Sequence, residues 1–134
     1  MALKDLIADH GKMTEEAIEA IVADFVRYDP KKHLIVFTPE AKKLGAEQTI
    51  LLYLVAVEGW RYVTDDELNV ETKPSELESI LGIPGGTLRP SLKKLREAHL
   101  VTNDDGKYIV QLANLDAVAG IISGERTVVK KKAA

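Results

Sequence analysis

The sequence predicts a mainly α fold that carries one small β-hairpin, an α+β class. Three observations lead there. Apolar residues recur at helical spacing in separate stretches: Ile18, Ile21, Val22, Phe25 and Val26; Leu77, Ile80 and Leu81; Leu88, Leu92 and Leu95; Leu115, Val118, Ile121 and Ile122. The second and third stretches are short and separated by Gly82-Ile83-Pro84-Gly85-Gly86, which reads as two helices joined by a turn. Finally, Asn103-Asp104-Asp105-Gly106 lies between Val101-Thr102 and Tyr108-Ile109-Val110, and Asp-Gly supplies the positive φ angles that a tight hairpin turn requires.

Taken in order, Leu3, Leu6 and Ile7 suggest a short opening helix that His10-Gly11 should end. Thr14 is then a fair N-cap, with Glu15 and Glu16 in a first turn where the helix dipole favours acids. The stripe from Ile18 to Val26 spans about four turns, and Asp29-Pro30 stops it. His33 to Thr38 is β-branched and aromatic, a short strand ended by Pro39; no partner is obvious nearby, and the hairpin could supply one. Glu47 to Trp60 is apolar all round between Ile50 and Val57, and its length and Leu/Ala content favour a central buried helix. Thr64 to Thr72 is acidic and reads as a capped turn or a loop.

Pro74 suits the first turn of the next helix, or Ser75 and Glu78 form a capping box there; Gly82 suits its end. Pro90 belongs in the first turn of the following helix, which sets its start near Gly86 or Thr87. Asn114 caps a last helix that Gly124 ends. The expected organisation is 1–44 as an N-terminal helix and strand (a possible dimerisation arm), 45–112 as the central unit, and 113–134 as a C-terminal helix and basic tail.

Composition excludes several functions. The chain of 134 residues has no cysteine, which removes disulfides, thiolate metal sites and cysteine nucleophiles. His10, His33 and His99 lie too far apart for a local metal site, and Gly82 to Gly86 lacks the Lys-Ser/Thr of a phosphate loop. No metal or cofactor and no enzymatic activity are therefore expected. No stretch is long enough to span a bilayer, and no leader is evident at the start, so the expectation is a cytoplasmic protein without a membrane partner. Net charge is −3, but its distribution matters more. From Gly85 to His99 Arg89, Lys93, Lys94 and Arg96 face a single acid, Glu97, a net of +3; from Thr64 to Glu78 six acids face Lys73, a net of −5.

The run SELESILGIPGGTLRPSLKKLREAHLV resembles the winged helix-turn-helix domains of prokaryotic transcription regulators, archaeal ones in flavour, through Ser-Glu-Leu, Leu-Gly-Ile, Gly-Thr-Leu-Arg, Leu-x-x-Leu and a closing Leu-Val. The likeness covers roughly Glu47 to Leu112. A flanking helix at each end is similar in layout to MarR-like dimers. The resemblance implies a homodimer that binds double-stranded DNA, its second helix (about Thr87 to Ala98) in the major groove. Thr87, Arg89, Ser91, Lys93, Lys94, Arg96 and, on the wing, Lys107 are then the candidate contacts: Arg89 for a base edge, the lysines and Arg96 for phosphates. The bland alternative is a solvated basic helix face. Two features depart from the family pattern: Asp104 and Asp105 at the wing tip would repel phosphates, and the segment before the motif is acidic. A winged helix used for protein contact inside a larger assembly is the competing expectation. Trp60, Tyr53 and Tyr62 would line an effector pocket or, the reading the residues favour, pack the core. The stripe from Ile18 to Val26 is open between a dimer surface and packing on the central helix.

Overall fold

A computed structural model of the chain describes residues 10–65, 68 and 70–125, with backbone alone for 10–12. The opening helix expected at Leu3 to Ile7, the basic tail and part of the acidic segment (Asp66, Glu67) lie outside the described residues. Among these, the element order is α1 (His10–Val22), β1 (Val26–Asp29), β2 (Leu34–Phe37), a 3-10 turn (Pro39–Lys43), α2 (Ala46–Val63), α3 (Pro74–Leu81), α4 (Gly85–Glu97), β3 (Val101–Asp104), β4 (Lys107–Val110), a 3-10 turn (Leu112–Asn114) and α5 (Leu115–Ser123). The architecture is mostly helical with two antiparallel two-stranded hairpins, an α+β fold.

α2 is the axle. Ile50, Leu51, Leu52, Leu54, Val55 and Ala56 are at most 1% exposed, which its all-round apolar sequence requires. Helices α1, α3, α4 and α5 and strand β4 all pack on it. One buried cluster joins these elements: Ile18 and Val22 of α1, Leu77 of α3, Leu88 and Leu92 of α4, Val110 of β4 and Val118 of α5. The stripe Ile18, Ile21 and Val22 is thus spent inside the molecule against α2 rather than left for a partner. Gln48 locks the start of α2. Its Oε1 accepts the Gly45 amide at 2.8 Å, and its Nε2 donates to the carbonyls of Ile121 and Ile122 at 3.0 and 3.2 Å, closing the last turn of α5.

Several expectations need correction. α1 runs through His10 and Gly11 to Val22, so His10-Gly11 does not end a helix and Thr14 lies inside one. α1 stops at Val22, and Val26 belongs to β1. The strand at 34–37 therefore pairs with its immediate predecessor and not with the wing: Val26↔Phe37, Arg27↔Val36, Tyr28↔Ile35 and Asp29↔Leu34. The physical reason is non-local: the Thr38 amide and hydroxyl donate to the carbonyls of Phe25 and Asp24 at 2.8 and 2.7 Å, taking acceptors that a longer helix would have needed. Pro90 is the sixth residue of α4 rather than in its first turn. Its missing amide orphans the carbonyl of Gly86, an exposed residue that leaves this acceptor to water. Neither Ser75 nor Asn114 makes a side-chain cap. Asn114 instead donates from Nδ2 to the carbonyl of His99 at 2.6 Å, holding α5 to the end of α4.

The turns expected from glycine are present. Gly82 ends α3 at φ +66° and Gly124 ends α5 at φ +84°. At the second hairpin Asp105 and Gly106 both have positive φ, +53° and +81°, the pair of values a type I′ turn requires. Thr72 adds a third partner to this hairpin. It exchanges two backbone hydrogen bonds with Tyr108, at 2.9 and 2.7 Å, so the acidic segment ends as a bridge on the outer edge of β4.

Candidate nucleic-acid interface

α4 is positioned by its own leucines. Leu88, Leu92 and Leu95 are at most 1% exposed against α2 and α3, which leaves the opposite arc outside. At about 100° per residue, Arg89, Lys93 and Arg96 fall on one line of that arc, and all three are exposed. Thr87 and Lys94 fall on the arc's other border and are exposed too. Lys94 is tied down: its Nζ lies 3.3 Å from Oε1 of Glu47 in the first turn of α2, a half-exposed ion pair that fixes the helix more than it stabilises the fold. Ser91 is a correction to the expected contact set. It is 9% exposed and lies on the flank of the leucine stripe, where the helical angle that buries Leu88 and Leu95 carries it inward.

The start of α4 is electrostatically unusual. The amides of Thr87 and Leu88 bond to the carbonyl of Pro84 at 2.9 and 2.8 Å. The carboxylate of Glu78 on α3 sits over this end: a Cβ built at Gly85 would lie 3.3 Å from its Oε2. A helix N-terminus favours an anion, and here the chain supplies its own. The cationic surface of α4 is therefore the side line Arg89, Lys93 and Arg96, not the helix tip.

The hairpin β3–β4 stands after α4. Lys107 is half-buried on β4, in register with Asp104. Asp104 and Asp105 are exposed at the tip, so the tip carries two acids against that one lysine. Asn103 spends its side chain inside the hairpin, its Oδ1 accepting the Gly106 amide at 2.9 Å.

The aromatic residues divide. Trp60 is buried, and Tyr28 meets it edge-on with ring centres 4.9 Å apart. The Tyr28 hydroxyl donates to the carbonyl of Ala56 at 2.6 Å, and burial pushes its pKa up to about 12. Tyr53 is half-buried against Phe37, its pKa raised by burial and by the charge of Glu76, whereas Tyr62 is exposed. Trp60 is thus buried and Tyr53 packs against the core, while Tyr62 lines a shallow groove with Tyr28 and Gly59. An open, largely apolar groove of about 490 Å³ lies elsewhere, between Phe37, Leu44, Thr49, Ile80, Ile83 and Thr87, under the turn that leads into α4.

Sequence reasoning missed the roles that three residues of this region play: Glu47 as partner of Lys94, Glu78 over the start of α4, and Thr72 on the edge of β4. Each acts across a separation that local patterning does not register. Among the described residues no group of three His, Asp or Glu side chains is placed to hold a metal ion, and no helix is long and apolar enough to cross a membrane. Compared with protein-family models, with curated proteins and with solved structures, the chain matches none.

Proposed function

We propose that the chain is a double-stranded DNA-binding protein of winged-helix type, a transcription regulator acting as a dimer, with α4 lying in the major groove. The single observation that carries this reading is the line Arg89, Lys93 and Arg96, exposed along a helix whose other side is anchored by three buried leucines. A rigid helix with a cationic outer line suits docking between phosphate walls. The order α2, bridge at Thr72, α3, α4, β3, β4 supports it, because it attaches a third strand segment to the hairpin after a helix-turn-helix pair. Arg89 is positioned one turn into α4 for a base edge, and Lys93 and Arg96 further along for phosphates. The tip acids Asp104 and Asp105 keep the hairpin away from the backbone, so contact is confined to α4. In a symmetric dimer the two copies of α4 would be spaced by about 34–36 Å or a multiple of it.

Fluorescence anisotropy with a labelled 30-base-pair duplex tests the reading. Binding should be measurable at 50 mM salt and fall log-linearly as salt rises, with a slope of about −0.9 for each phosphate neutralised. Arg89→Ala/Lys93→Ala should remove it while leaving circular dichroism unchanged. Wild-type protein that ignores duplex at low salt sinks the proposal. The acids at the hairpin tip and Glu78 over the α4 start favour a second reading, a winged helix that meets another protein. In that case the double variant loses a protein partner and duplex binding is absent throughout.

A further inference from the structure

The two hairpins differ in what covers their edges. Alternation along the β1–β2 ladder starts from the Thr38 amide, which donates to Phe25. Leu34 and Val36 therefore turn their backbone groups toward β1, and Ile35 and Phe37 turn theirs away from it. β1 has its own outer edge partly occupied: the Arg27 guanidinium donates to the carbonyl of Val26 at 2.7 Å and also to that of Ala23. Among the described residues β2 is bonded to β1 alone, in a two-stranded sheet. Its outward side chains are also apolar, Leu34 at 52% and Val36 at 53% exposed. An uncharged strand edge bordered by exposed aliphatics is a template for another strand.

We propose that β2 pairs antiparallel with β2 of a second copy of this chain, joining the two hairpins into one four-stranded sheet. This stands whether or not α4 binds DNA. Sequence parity restricts the register, since residues facing each other must point to the same side of the sheet. Of the registers that keep Leu34 and Val36 on the outer face, two pair three residues of β2 with its copy. One sets Ile35 on the twofold axis and needs His33 as a strand residue, but His33 has φ +53°. The other sets Val36 on the axis and exchanges hydrogen bonds between Ile35 and the Phe37 of the other copy. It also carries Lys32 of one copy toward Glu40 of the other, opposite charges at both ends of the seam. Glu40 already meets Lys43 at 3.3 Å, but that exposed pair leaves the carboxylate open to a second ammonium. Pro39, which has no amide to offer, follows the strand where the pairing ends.

The chain has no cysteine, so single-cysteine variants report the register without further change. With Val36 on the axis, its two Cα atoms form a non-hydrogen-bonded pair about 4.5 Å apart, within the range a disulfide spans. The two copies of Leu34 are then four residues apart along the strands, roughly 13 Å, and cannot be bridged. Mild oxidation of the full chain should convert Val36→Cys to a covalent dimer and leave Leu34→Cys monomeric on a non-reducing gel. Sedimentation equilibrium should show a concentration-dependent dimer for the unaltered chain. Val36→Lys should abolish it with unchanged circular dichroism, because it sets two ammonium groups face to face. A chain that stays monomeric at several hundred micromolar overturns the proposal. So does equal crosslinking of the two cysteine variants, or a dimer that survives Val36→Lys.

Discussion

The hairpins β1–β2 and β3–β4 have the same strand length and opposite finishes. β3–β4 closes on a two-residue turn, is polar or acidic outside, and has Thr72 on the outer edge of β4. β1–β2 closes on a longer loop, shaped by Asp29 Oδ1 accepting the amides of Lys31 and Lys32 at 3.1 Å, and leaves aliphatics outside. Their attachment differs as well. β4 is wedged against α2 by Val110, whereas β1 adds to its own buried Val26 a polar pin, the Tyr28 phenol on the carbonyl of Ala56. A hairpin can thus be completed by its own chain or left with a surface that invites company.

The largest way to break the contrast is at Gly59. A Cβ there would lie 2.2 Å from the Tyr28 hydroxyl, a distance no packed pair tolerates, so the phenol must leave. Gly59→Ala should cost about 3 kcal/mol from overpacking and the lost hydrogen bond. Urea unfolding would register it, and limited proteolysis should now cut between β1 and β2 before the second hairpin. An unchanged midpoint would show that the phenol is not the pin.

Tyr28→Phe is the gentler test. Losing one hydroxyl donor to Ala56 should cost about 1 kcal/mol at neutral pH. The sign of the alkaline effect follows from the direction of the shift. Tyr28 ionises near 10 when unfolded and at about 12 when folded. Its contribution is therefore complete below pH 10 and fades as pH climbs toward 12. Tyr53 is raised too, so the wild-type chain should lose stability across this window, and Tyr28→Phe should lose less. Thermal unfolding at pH 9 and pH 11.5 measures the difference.

At the second hairpin the expected effects are smaller. Gly106 has φ +81° with nothing within 4 Å of a built Cβ, so Gly106→Ala is penalised by backbone strain alone, about 1 kcal/mol. Asp105→Gly should shift stability the other way by a few tenths of a kcal/mol, since Asp105 holds φ +53° without a glycine's freedom. Equal effects from both would mean the turn is not constrained as its dihedrals indicate.

This second hairpin, with the α3–α4 turn, was legible in the sequence because each signal is local: Asp105-Gly106 for the turn, Gly82 for the helix end, leucines at i, i+4 and i+7 for the buried face. The first hairpin was not. Val22 and Val26 keep a helical interval, and nothing within four residues reveals that Thr38 claims the carbonyls of Asp24 and Phe25. At the candidate interface the line Arg89, Lys93 and Arg96 could be read from spacing. Ser91 could have been rejected by the same arithmetic, being three residues from Leu88 and four from Leu95. The partners Glu47 for Lys94 and Glu78 for the α4 start depend on how α2 and α3 pack, which one sequence does not encode in any short pattern.

A small change in stability brings the sharpest functional contrast. Asp104 and Asp105 are exposed at the hairpin tip, and only the φ of +53° at Asp105 penalises a lysine there, so Asp104→Lys/Asp105→Lys should lower the unfolding free energy by no more than about 1 kcal/mol. The tip swings from two acids to two bases beside Lys107. If α4 lies in a groove, the altered tip reaches the neighbouring phosphates, so duplex affinity rises several-fold at 100 mM salt and the salt slope steepens by one or two neutralised phosphates. Removing Arg89 and Lys93 from this variant should cancel most of the gain, since the tip adds to a docking that α4 supplies. If instead the lysine variant binds duplex equally well without Arg89 and Lys93, the new charges act as a non-specific patch and α4 loses its place in the proposal. That comparison separates a helix that positions the molecule on DNA from a basic surface that merely tolerates it.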